Sequence, residues 1–240
     1  MTEDAIQSFY DKEAEVYDGM RFKSSHGAYV DYFQKSAVLE LIGYCKGMNI
    51  LEIGSGTGRF TRELVKRGAH VVCVDLSRNM HSKSKQSVPN DSVDYFVMSG
   101  LDLGFDDESF DVCLTVNMMS HIKDYSAVFA EVNRVLKKRG FFVANFPNVA
   151  GIYFPVGCFV NFFQRSLQVP VYSRWYSMRT IFRSLRCAGL SPVHTIGHMI
   201  FPKKYCPKLL FICLKEVDLK LANSRFWSVA GDLFILSCKF

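Results

Sequence analysis

From about residue 48 onward, short apolar runs alternate with stretches of helical period, a pattern that favours a mostly parallel sheet covered by helices on both faces. The runs at 49–53, 70–74, 93–97, 112–116 and 141–145 predict five strands. Between them, "RFTRELVKRG", "SRNMHSKSKQ" and "YSAVFAEVNRVLKKRG" place apolar residues at helical intervals. The first and third end at glycine, where helices commonly stop. Residues 27–45, also of helical period, precede the first strand. With 240 residues, 49% of them hydrophobic, the chain can bury one sizeable core.

After Asn145 the alternation changes. "FPNVAGIYFPVGCFVNFFQRSLQVPVYSRWY" carries no charge before Arg165 and is interrupted by Pro147, Pro155 and Pro170. It reads as an irregular, partly helical lid; its prolines, with Asn148 and Gly151, would break any membrane-spanning helix. A helix at about 177–188, a strand near 192–196 and a final strand "DLFILSCKF" follow.

The net charge of +6 is unevenly spread: residues 1–139 carry 17 Lys/Arg against 20 Asp/Glu, and residues 140–240 carry 12 against 3. A basic C-terminal part favours an anionic substrate, a nucleic acid or an anionic membrane surface, unless it is only a solvated face. The eight cysteines never approach closer than seven positions, which excludes CxxC metal or redox spacing and predicts reduced thiols. The N-terminal "MTEDAIQSFYDKEAEVYDG" is acidic and polar, unlike a secretory signal, so a cytoplasmic protein is expected.

"NILEIGSGTGRFT" sets Gly54, Gly56 and Gly58 at alternate positions directly after the first strand. Such a turn lets a ligand touch bare backbone, and the following helix offers free amide donors. A dinucleotide fingerprint would need GxGxxG, and that spacing is absent. Asp75, at the tip of the second strand and 21 residues after Gly54, is placed to accept hydrogen bonds from ribose hydroxyls.

On these residues the chain resembles the class I S-adenosylmethionine-dependent methyltransferases, of the small-molecule group (methyltransferase type 11) that includes the ubiquinone-type enzymes. "LEIGSGTG" is similar to their first motif and "CVDLSRNM" to the second. "LDLGFDDESFDVCLTVNMMSHIKD" resembles the stretch leading into the fourth strand, "VFAEVNRVLKKRGFFVANFPN" the next helix and strand, and "YSMRTIFRSLRCAGLSPV" the late helix. "FYDKEAEVYDG" resembles their N-terminal "YDxxAxxYD". The resemblance implies an α/β, doubly wound Rossmann-like sheet of seven strands with the last antiparallel. It also implies one domain: a helical cap (1–46), a cofactor-binding half (47–146), a lid insertion after the fifth strand (147–176) and a C-terminal helix with strands (177–240).

It implies roles too. S-adenosyl-L-methionine, leaving as S-adenosyl-L-homocysteine, would lie against Glu52, Gly54, Ser55, Gly56 and Gly58, with Asp75 and Leu76 at the ribose, Ser99 and Gly100 at adenine, and Asn117 facing donor and acceptor. Tyr10 and Tyr17 would help close the site. Relatives often place an aspartate at adenine where this chain has Ser99, and Asp102 is the candidate substitute. His121 is the candidate general base, with a structural brace as its other reading. No metal is expected: the glutamate that precedes this histidine in ubiquinone-type enzymes is Ser120 here.

For the acceptor, the lid residues Phe154, Phe159, Trp175 and Tyr176, with Phe162 and Phe163, suit an apolar, lipid-like small molecule, or else only cover the sheet. "FPKKYCPKLLFICLK" suits peripheral contact with an anionic membrane surface. Arg179, Arg183 and Arg186, at helical spacing, keep an RNA acceptor open as the second reading. A catalytically silent cofactor-binding partner protein is the third.

Overall fold

β1 (Asn49–Ile53) and β2 (His70–Asp75) are buried along almost their whole length rather than at alternate residues, the mark of strands covered on both faces. In the computed structural model, which describes residues 2–88, 91–151, 154–166, 173–198, 231–240 and short pieces of 216–224, they join a seven-stranded sheet. The other strands are β3 (Val93–Val97), β4 (Phe110–Thr115), β5 (Leu136–Phe146), β6 (Leu190–His198) and β7 (Asp232–Lys239), in the order β3-β2-β1-β4-β5-β7-β6. Strands β1 to β5 pair in parallel, and β7 runs antiparallel to β5 and β6. The chain leaves β1 toward β2 and returns on its other side as β4. A crevice therefore opens at the carboxyl ends of these two strands, where ligands bind in open α/β sheets.

Successive strand residues point to opposite faces, so each face has its own core. On one, Ile50, Val71, Val112 and Leu114 pack with Tyr29, Phe33 and Val38 of α3 (Ser25–Ile42) and Leu64 of α4 (Thr61–Lys66). On the other, Leu51, Ile53, Val74 and Phe142 pack with Phe129 and Val132 of α6 (Tyr125–Val135) and Ile181 and Leu185 of α8 (Met178–Cys187). Cys73 and Cys113 are buried among them as free thiols and serve as small hydrophobes.

One helix ends earlier than its sequence suggests. The pattern "YSAVFAEVNRVLKKRG" predicts a stop at Gly140, yet α6 ends at Val135 and β5 begins at Leu136. Leu136 pairs with Phe110, the register then shifts, and Arg139 takes φ 64°. Burial of Leu136 in the sheet outweighs the helical propensity of the lysines that follow. The lid contains α7 (Phe154–Ser166), and no helix among the described residues is long and apolar enough to cross a membrane. The stretch "FPKKYCPKLLFICLK" lies outside the described residues. Arg179, Arg183 and Arg186 are exposed on α8, opposite buried Ile181 and Leu185.

Candidate active site

The three glycines of the β1–α4 turn all have positive φ (74°, 55° and 77°), a region costly to other residues, but each serves a different purpose. A Cβ at Gly54 would press on Met118 at 2.9 Å, and one at Gly58 would meet Ser84 Oγ at 2.3 Å, so these two permit close packing of the turn. A Cβ at Gly56 would meet nothing within 4 Å. Gly56 lines an open cleft. The turn is tied to β2, with the Gly54 and Ser55 amides donating to the Val74 carbonyl at 2.7 and 3.1 Å.

Asp75 ends β2 and lines the same cleft. Its Oδ2 accepts from the Gly56 N–H at 2.8 Å and its Oδ1 from the Ser77 N–H at 2.9 Å. Burial raises its carboxyl above the usual range, and these two amides pull it back. Each oxygen keeps a lone pair for a hydroxyl in the cleft. Leu76, Gly100, Asn117 and His121 complete the expected lining, and Tyr10 and Tyr17 cover it.

Three expected cofactor residues stand behind the cleft. Ser55 is buried, its hydroxyl 3.3 Å from His81 Nε2; burial holds His81 down at about 4, hence neutral at physiological pH. Gly58 packs on α5 (Arg78–Ser87). Glu52 is 3% exposed and accepts from the Thr61 hydroxyl at 2.6 Å. Burial pushes it up to about 7, against the lowering effects of Thr61 and Arg59. A carboxyl raised by folding contributes stability below its unfolded pKa, and that contribution is lost as pH rises through about 7. Glu52→Gln, which keeps a bond to Thr61 without a charge to bury, is therefore expected to be more stable than the wild type at pH 8, by on the order of 2 kcal/mol. Melting curves should show that advantage shrinking toward pH 5; a variant less stable than wild type at pH 8 would contradict this role for Glu52.

At the position expected for adenine, Met98 and Gly100 line the cleft. The Ser99 hydroxyl donates to Glu3 Oε1 at 2.5 Å and accepts from the Leu101 N–H at 3.0 Å. Asp102 is exposed and lines neither cavity. The carboxylate near Ser99 comes instead from α1 (Glu3–Glu13), whose Glu3, Ile6 and Gln7 form part of the cleft wall. No residue of α1 is buried. It is pinned by Asp11, which accepts from Ser77 Oγ (2.5 Å) and the Asn79 N–H (3.2 Å). From α2 (Tyr17–Phe22), Asp18 accepts from the Thr57 hydroxyl at 2.8 Å, and Phe22 lies under the Arg59 guanidinium at 3.7 Å. Sequence reasoning missed Glu3, Ile6 and Gln7; the available signal was an acidic helical first turn capped by Thr2.

A second cavity adjoins the first, and Tyr10, Tyr17, Asn117 and His121 line both. Asn117 sits just beyond β4 with φ 63°, which asparagine tolerates better than most residues. The Asn145 side chain accepts from the Asn117 N–H at 2.6 Å and donates to Asn117 Oδ1 at 3.1 Å, while Gln34 donates to the same oxygen at 3.2 Å. Arg59 in turn donates to Gln34 at 3.1 Å. Tyr10 Oη lies 2.8 Å from His121 Nε2. Desolvation pushes the Tyr10 phenol well above its usual range, so it stays a neutral hydroxyl.

The lid meets this cavity differently from the aromatic expectation. Trp175 lines it, and Phe154 packs edge-on against Trp175 at 5.7 Å without lining it. Phe159 and Phe162 are 65% and 67% exposed on α7; the side chain of Phe163 lies outside the described residues. Tyr176 is buried in the wall, its hydroxyl donating to the Met119 and Ile122 carbonyls at 2.8 and 3.1 Å, so it braces the turn that carries His121. The remaining lining is mixed: Arg21, His26, Gln34, Asn145 and Asp232 stand beside Phe9, Phe22, Val30 and Pro147. Among the described residues no group of three His, Cys, Asp or Glu could hold a metal.

Residues 51–144 match a family described as methyltransferase domain. A demethylmenaquinone methyltransferase from Tropheryma whipplei (strain Twist) is 27% identical over 135 residues, 56% of each chain; the chain thus spans about half the length of such curated relatives. In fold it is similar to a magnesium protoporphyrin IX methyltransferase from Synechocystis PCC 6803 solved with bound SAH (TM-score 0.70, 14% identity, 99% of both chains). It is also similar to the [4+2]-cyclase SpnF (TM-score 0.71, 14% identity, 100% of this chain and 97% of that one). The strand order is that of the class I S-adenosylmethionine-dependent methyltransferase fold, and the match to the methyltransferase domain spans residues 51–144. The open backbone at Gly56 and the carboxylate of Asp75 fit the cofactor of that class, S-adenosylmethionine.

Proposed function

We propose that the chain transfers a methyl group from S-adenosylmethionine, held in the glycine and Asp75 cleft, to a small-molecule acceptor in the adjoining cavity. The observation that carries this reading is the shared wall. Tyr10, Tyr17, Asn117 and His121 line both spaces, so a donor in one and an acceptor in the other would meet there. S-adenosylmethionine supplies, when bound, a methyl group activated on a sulfonium. The residues do the rest: Gly56 leaves room for the methionine part, Asp75 holds the ribose, and Glu3 beside Ser99 accepts from the adenine amine. α1 and α2 exclude water, and the Gln34–Asn117–Asn145 amides fix the end of β4 so that donor and acceptor keep near-attack geometry.

Where the acceptor must lose a proton, His121 takes it, either directly or through the Tyr10 hydroxyl, which stays neutral and can only relay. Tyr10→Phe keeps the ring packed on Tyr17 and removes the bond to His121. Transfer is then expected to fall roughly 10²-fold with cofactor affinity unchanged; unaltered transfer would leave the pair a brace.

The experiment for the reading as a whole is incubation of the full chain with methyl-labelled S-adenosylmethionine and a deproteinised cell extract. Label in a small-molecule fraction is the expected result. Label confined to RNA would assign a role to the exposed arginines of α8. Binding without transfer to any fraction would make the chain a cofactor-binding partner protein, a real alternative on a fold that also hosts a cyclase.

A further inference from the structure

The acceptor cavity contains a carboxylate that the transfer does not use. Asp232 begins β7, with its Cα opposite His198, and lines the acceptor cavity but not the cofactor cleft. Its position therefore differs from that of Asn117 and His121, which face both. The side chain is only half-buried, because the cavity reaches it, although protein surrounds it otherwise.

Among the described residues its hydrogen-bond partner is the Asn148 backbone N–H, which donates to Oδ1 at 3.3 Å. A carboxylate has about four acceptor sites, so a single long bond leaves most of its capacity directed at the cavity. Among the described residues no cation pairs with it. Arg21, which lines the same cavity, is held by Glu13 at 3.4 Å and lies over the Tyr17 ring. His26 and His121 are the other basic groups in the lining, and His121 is engaged by Tyr10. Burial without a counter-charge pushes the Asp232 carboxyl up to about 7.

A carboxylate largely surrounded by protein, with no counter-charge among the described residues, is costly to the fold, and such groups are seldom kept where a neutral residue would serve. Asparagine would accept the Asn148 N–H equally well. What asparagine cannot do is offset a positive charge on a ligand. Aromatic Trp175 and Tyr17 line the same space, and aromatic faces also attract cations.

We propose that the acceptor carries a protonated amine or other cationic nitrogen, and that Asp232 is the residue that selects for it, holding that group in the part of the cavity away from the cofactor cleft. This rests on the methyltransferase reading above and replaces an apolar, lipid-like acceptor with a cationic one.

The test uses the full chain, deuteromethyl-labelled S-adenosylmethionine and a deproteinised cell extract, with new species carrying three deuteriums identified by mass and the cofactor itself excluded by its known mass. The products are sorted by retention on a cation exchanger at pH 6. Labelled species retained by the exchanger are expected from the wild type. Asp232→Asn, which preserves shape, should lower their yield roughly 10- to 100-fold through a raised KM for the acceptor, while calorimetry gives an unchanged Kd for S-adenosylmethionine. Labelled products that are neutral and pass to an organic phase, or equal yields from wild type and Asp232→Asn, would overturn the proposal and leave the methyltransferase reading standing. No labelled species at all, with the cofactor bound, would fail both.

Discussion

Asp75→Ala is expected to abolish useful cofactor binding while the protein stays folded. In the proposed site the carboxylate accepts two charge-assisted hydrogen bonds from ribose hydroxyls, each worth about 1.5–3 kcal/mol, and it also fixes the Gly56 N–H at 2.8 Å. Losing both ribose contacts should weaken S-adenosylmethionine by about 3–6 kcal/mol, or roughly 10²–10⁴-fold in Kd. The fold should tolerate the change, because burial already opposes the charge of Asp75 and alanine removes that opposition along with the bonds. Asp75→Asn, which retains shape without charge, should fall between the two. Titration calorimetry with circular dichroism on the same samples checks this; wild-type affinity in Asp75→Ala would remove the ribose from β2.

The second large effect separates two glycines that look equivalent in sequence. Gly58→Ala must hold a left-handed backbone at φ 77° and bring its Cβ to within 2.3 Å of Ser84 Oγ. Ser84 cannot easily yield, since it is fully buried and its hydroxyl lies 3.0 Å from Tyr95 Oη. The strain of about 1–2 kcal/mol and the overpacking of about 1–3 kcal/mol predict a melting temperature lower by roughly 5–15 °C. Gly56→Ala bears only the conformational strain, for nothing lies within 4 Å of its added Cβ, so it should melt within a few degrees of wild type. That methyl group instead projects into the cleft, and cofactor affinity should fall by about tenfold or more. The reverse pattern, with Gly56→Ala unstable and Gly58→Ala failing only in binding, would mean that the turn is oriented otherwise.

These two glycines also show what a sequence can disclose. The spacing of Gly54, Gly56 and Gly58 and the position of Asp75 after the second apolar run are local, and local pattern was enough to locate the turn, the β2 tip and the parallel half of the sheet. Which glycine faces ligand and which faces α5 depends on a contact 26 residues away, with Ser84, and spacing alone does not disclose it. Likewise α1 reads as a plain polar helix without a buried face, because its work is done by side chains that reach across to Ser77, Asn79 and Ser99. The second cavity was the least legible part. Its walls come from α1, α2, α3, the ends of β4 and β5, the turn that carries His121, the lid and the first residue of β7. An aromatic count over the lid pointed to an apolar pocket, whereas α7 exposes Phe159 and Phe162 and the polar residues arrive from elsewhere. Tyr176 was similarly ambiguous: its hydroxyl finds two backbone carbonyls in the wall, which no periodicity signals.

The most direct measurement is a crystal structure of the chain with S-adenosylhomocysteine. The homocysteine should lie along the backbone of Gly54 and Gly56, both ribose hydroxyls should be within hydrogen-bonding distance of Asp75, and the sulfur should point at the wall formed by Tyr10, Asn117 and His121. A nucleoside bound elsewhere, or a sulfur turned away from the second cavity, would contradict the transfer path between the two spaces.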